Sequence, residues 1–118
     1  MNEQPLIDAK QEQSLSLAAE TRFVTAGIVS RTILRTPSLR LVLFGFAKGQ
    51  GLTEHTSAQD ATIQILTGEC EFTLAGRTHP LKAGDLLFMP ARLPHAVRAS
   101  AQFSMLLTLS QPGAFSPA

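Results

Sequence analysis

Three histidines, a single cysteine and a scatter of hydroxyls and carboxylates supply the chemistry open to this chain of 118 residues. His55, His79 and His95 can each ligate a metal or move a proton, because imidazole titrates near physiological pH and has two distinct nitrogens. Cys70 stands alone, which excludes an intramolecular disulfide and a cysteine-built zinc finger. It lies between Glu69 and Glu71, whose charges oppose thiolate formation, so a buried structural role fits it best. Ser57 with a histidine and Asp60 or Asp85 has the residue types of a triad, but no Gly-x-Ser-x-Gly surrounds it. Gly49-Gln50-Gly51 lacks the third glycine and the following helix of a dinucleotide-binding turn. Met89 and Met105 alternate with apolar neighbours and read as core filler rather than metal ligands. His79 precedes Pro80 between two glycine turns and is expected near the surface, outside any ligand set.

The elements that must position these groups are strands. Along 39–47, Leu39, Leu41 and Leu43 point one way while Val42, Phe44 and Phe46 point the other. Both faces of this strand are apolar, so both need cover, one from the core and the other from a second sheet or a partner subunit. Cys70, Phe72 and Leu74 alternate with Glu69, Glu71 and Thr73, the pattern of a half-buried strand, and Phe103, Met105, Leu107 and Leu109 repeat it. Gly68, Gly76 and Gly84 punctuate the middle of the chain, and Pro37, Pro90 and Pro94 fall at strand starts or connections. Leu6-Ile7 offers a short edge strand, 14–20 a loop or one helical turn, and the tail beyond Ser110 a mobile end.

Composition bounds the partners. With 44% hydrophobic and 16% charged residues the chain can build a core of its own, and no apolar run is long enough to span a bilayer. A formal charge of +1, with neither Trp nor Tyr, gives no phosphate track and few stacking platforms, so no nucleic-acid partner is expected. The polar start Met1-Asn2-Glu3-Gln4-Pro5 leads into no apolar signal region, and a cytoplasmic location is the expectation.

Two segments resemble the paired motifs of the cupin superfamily. Gly49 through His55, closed by Gly68, is similar to the first motif; Gly84 through Pro90, followed by Leu93-Pro94-His95, is similar to the second. The resemblance spans about residues 40 to 110, with a strand-rich segment from Ile28. It implies an all-β fold, a double-stranded β-helix (the jelly-roll cupin barrel, small and RmlC-like) of two facing antiparallel sheets. All of 1–118 then forms one domain, its motif-bearing core at about 39–110 and its periphery at 1–22 and 111–118. Motif histidines in that family point into the barrel and share one metal, which assigns His55 and His95 to ligand positions. The sequence departs from the pattern where Ser57 replaces the second histidine, Ala61 the glutamate, Arg92 a glycine and Ala99 an asparagine.

Two histidines remain of the usual ligand set. They imply a possible divalent transition metal (Zn, Ni, Fe or Mn), with a third ligand, if any, from Gln59 or Asp60. Glu54 is a poorer candidate, because in a regular strand it points away from the face that His55 occupies. The expected inward set of Ala61, Ile63, Ile65, Phe72, Leu74, Val97, Phe103, Met105 and Leu107 is apolar. A pocket of His55, Ser57, Ala61, Ile63, Phe72, His95, Val97 and Met105 therefore suits a small, largely apolar ligand better than a sugar nucleotide. A metal-free ligand-binding or sensor barrel is the alternative, and a homodimer covering the strand at 39–47 is expected with either.

Overall fold

Alternating apolar and polar residues fold into nine strands in the computed structural model, which describes residues 4–112. In chain order these are β1 (Ile28–Arg35), β2 (Leu39–Phe46), β3 (Gly51–His55), β4 (Asp60–Thr67), β5 (Glu69–Leu74), β6 (Arg77–Lys82), β7 (Leu86–Met89), β8 (His95–Arg98) and β9 (Phe103–Ser110). One helical turn, α1 (Leu17–Glu20), precedes them. The tail expected to be mobile lies, beyond residue 112, outside the described residues.

The strands form two antiparallel sheets, one in the order β1-β2-β9-β4-β7 and the other β3-β8-β5-β6. Successive strands pass from one sheet to the other at β2–β3, β3–β4, β4–β5, β6–β7, β7–β8 and β8–β9, which winds the chain into the expected double-stranded β-helix. Period-two alternation sends one face of each strand inward, and the inward set follows the sequence. Ala61, Ile63, Ile65, Phe72, Leu74, Val97, Phe103 and Met105 are each exposed by 6% or less, and Leu107 is half-buried against them. Phe46 and Phe103 are register partners on β2 and β9, and their rings stack at 4.6 Å.

The N-terminal segment is more than periphery. The backbone N–H groups of Leu6 and Ile7 donate to the carbonyls of Thr32 and Ile33, which fastens this segment to β1, but the two residues lie in a bend and do not form the edge strand expected of them. Ser16 caps α1 by accepting from the Ala19 N–H, and the Arg31 guanidinium meets the Glu20 carboxylate at 2.9 Å. The segment then closes over β2 at Gly45, where an added Cβ would lie 2.1 Å from the Arg22 carbonyl oxygen. Leu43, on the outer face of β2, is 2% exposed within the single chain. The sequence reading assigned that cover to a second sheet or a partner subunit. In the structure the chain's own Arg22 and Phe23 lie over this face, because Gly45 lets a backbone approach it closely. No helix is long and apolar enough to cross a membrane among the described residues.

Candidate functional site

His95 opens β8, and alternation places it on the same inward face as the buried Val97. On one side it faces Leu74 of β5 and on the other His55 of β3. The pairing with β3 is irregular. Leu52 opposes Val97, yet His55 rather than Glu54 opposes His95, so three steps along β3 match two along β8. This is a β-bulge at Thr53-Glu54, a device that re-aims side chains. A regular strand would have set Glu54 against His95.

The two imidazoles lie 4.2 Å apart, centroid to centroid, at an interplanar angle of 61°. Nδ1 of His55 is 2.7 Å from the Thr53 carbonyl oxygen, and Nδ1 of His95 is 2.9 Å from that of Leu93. A carbonyl can only accept, so each Nδ1 carries the proton and donates it. In the neutral ring each Nε2 then keeps its lone pair, the state in which imidazole ligates a metal. His55 is exposed and His95 half-buried, so the pair is open to solvent.

The connections carrying the two histidines are pinned together. The Arg92 N–H donates to the Ser57 carbonyl at 2.7 Å, and the Ala91 N–H donates to Asp60 Oδ1 at 2.9 Å. Ser57 Oγ accepts from the Gln59 N–H, rounding the turn that leads into β4. Arg92 holds φ at 70°, the left-handed region in which the resembling motif places glycine. For an L-residue that conformation costs roughly 1–2 kcal/mol, which the bond to Ser57 helps offset.

Ala61, Ile63, Phe72, Val97 and Met105 belong to the buried core on the inward faces, and Ser57 sits half-buried on the connection. Of the two suggested third ligands, Asp60 already uses one carboxylate oxygen for Ala91, and Gln59 follows Ser57 in the turn. No cluster of three or more His, Cys, Asp or Glu able to hold a metal forms among the described residues. His79 is half-buried on β6, the strand at the opposite edge of the smaller sheet from β3, so it is separate from the pair. The donor set fits an open two-imidazole site whose other positions fall to water or ligand. Sequence reasoning did not find the bulge. Its only trace is the polar run Thr53-Glu54-His55, where a strict alternation would have turned His55 outward.

A family model for the cupin domain matches residues 42–109, from β2 to β9, and includes both histidines. Among solved structures, a conserved protein of unknown function from Streptococcus pyogenes is 32% identical, with 97% of this chain and 98% of that one covered and a TM-score of 0.81. An RmlC-like cupin protein from Desulfovibrio desulfuricans is 30% identical over 86% of this chain and 99% of its own, at a TM-score of 0.78. A cupin superfamily protein from Desulfitobacterium hafniense is 26% identical over 94% and 99%, at 0.80. No curated protein matches the chain.

Proposed function

Because the chain belongs to the cupin domain family, we propose that it holds one divalent transition-metal ion (Zn, Ni, Fe or Mn) on His55 and His95. The remaining coordination positions go to water and to a small, largely apolar ligand. The observation that carries this reading is the facing pair of imidazoles, each with Nδ1 engaged by a backbone carbonyl and Nε2 free. A bound ion would supply Lewis-acid character to a coordinated oxygen. The chain's own residues hold the two rings, and the two pinned connections keep them facing one another. Ala61, Ile63, Phe72, Val97 and Met105 give the neighbouring interior its apolar character.

A second reading is a metal-free ligand-binding or sensor barrel. It is favoured by the absence of any three-residue ligating cluster among the described residues. Elemental analysis of tag-free protein after reloading with each metal separates the two. Near-stoichiometric metal that is lost in His95→Ala supports the metal site, and no metal in either protein leaves the ligand-binding barrel. A cytoplasmic location accompanies both readings, since a free buried thiol suits a reducing compartment. So does a homodimer formed through the outer face of the larger sheet.

A further inference from the structure

We infer that the extra residue in β3 is the positioning device of this site, and that it makes the histidine pair a double hydrogen-bond acceptor. The inference rests on the metal reading only for its affinity measurement. In a regular β3, the residue opposite His95 would be Glu54. A carboxylate against an imidazole accepts the ring proton, leaving a mixed donor and acceptor pair. The bulge instead places a second imidazole there and takes Glu54 out of the facing position.

The same irregularity provides the second half of the device. A bulge locally disrupts the ladder, which frees backbone groups from their cross-strand partners. The Thr53 carbonyl, within the bulge, accepts from Nδ1 of His55 at 2.7 Å. His95 reaches the same state by a different route, since the Leu93 carbonyl that it engages precedes Pro94 at the entry to β8. Each ring is therefore tied to the carbonyl two residues before it, and no hydrogen bond joins the rings to one another among the described residues. When both rings are neutral, their two Nε2 lone pairs, which no hydrogen bond occupies among the described residues, attract an electron-pair acceptor. That is a metal ion or, without one, a ligand bearing N–H or O–H donors. A bare carbonyl or carboxylate finds no donor on either ring. Thr53 is thus a positioning residue that acts through His55.

Long-range proton–nitrogen correlation spectra of metal-free, 15N-labelled protein at alkaline pH test this directly. Both His55 and His95 are expected as the Nδ1–H tautomer; an Nε2–H tautomer at either ring overturns the inference. Deletion of Thr53 restores a regular ladder while keeping His55 opposite His95. It should return His55 alone to the Nε2–H form and weaken zinc or nickel binding by about ten- to a hundredfold, the usual effect of losing an outer-shell partner. Should the deletion fail to fold, Glu54→Gln serves instead. It should leave both tautomers unchanged, and a shift at His95 would show that Glu54, not His55, faces it. Correct tautomers without metal binding would preserve this inference while removing the ion, so the two failures are distinguishable.

Discussion

The thiol of Cys70 is 1% exposed, and its pKa is pushed up from 9.0 to about 12, first by desolvation and then by the charges of Asp85 and Glu71. The sequence had suggested the direction from Glu69 and Glu71; burial supplies the larger cause. Well below pH 9.0 the thiol is neutral whether the chain is folded or not. Between 9.0 and about 12 the unfolded chain loses this proton while the folded chain keeps it, so stability falls as pH rises through that window. The slope from this one group is about 1.4 kcal/mol per pH unit. Urea unfolding at a series of alkaline pH values should show it in the wild type and a flatter decline in Cys70→Ala; parallel curves would contradict it. The same burial predicts that Cys70 resists alkylation in the folded protein at neutral pH, which labelling with and without denaturant would check.

At the scale of elements, the N-terminal segment depends on a glycine in β2. A Cβ at residue 45 would also come within 3.1 Å of the Phe23 ring, besides the backbone contact at Arg22. Gly45→Ala should therefore lift the segment and cost about 1–3 kcal/mol, the usual range for overpacking. Hydrogen exchange should speed up at the Leu6 and Ile7 amides while the β4 and β9 amides stay protected. Unchanged exchange at Leu6 and Ile7 would contradict the role assigned to Gly45. The strands themselves were legible in the sequence, because alternation in β2, β5 and β9 reports directly which side chains leave water. His55 and His95 were legible through the motif spacing around them. The cover over Gly45 was not, since a mostly polar segment gives no periodic signal and its fit depends on a close backbone approach from distant residues. Nor was the bulge, because a single-residue offset in register is a property of two paired strands, and the polar run at 53–55 marks it only once the partner strand is known.

For the whole molecule, the two outer faces differ in charge. Register and alternation place Glu69, Glu71, Lys82 and Arg98 on the outer face of the smaller sheet. The outer face of the larger sheet shows an uncharged patch of Leu86 and Phe88 of β7, Thr62 and Gln64 of β4, and Leu106 and Thr108 of β9; the charges on this face, Asp60 at the start of β4 and Arg31 on β1, the latter paired with Glu20, lie outside that patch. Leu86 and Phe88 are 69% and 56% exposed, on a strand at the sheet edge. In a two-fold dimer a patch meets its own copy, so an uncharged patch avoids setting like charges against each other. A second copy is the occupant we propose for this patch, where the sequence expectation had placed it over β2. Light scattering after size exclusion should give a dimer at micromolar concentration and a monomer for Phe88→Asp. A monomeric wild type, or an unchanged dimer in the variant, would contradict the assignment.

The proposed sharing of one ion by His55 and His95 is tested most directly by electron paramagnetic resonance of the protein loaded with a single equivalent of Cu(II), a probe that imidazole binds well. Nitrogen hyperfine structure from two imidazoles is expected in the wild type, reduced to one in His55→Gln and one in His95→Gln. A single nitrogen in the wild type, or a spectrum indifferent to His55→Gln, would contradict the shared site.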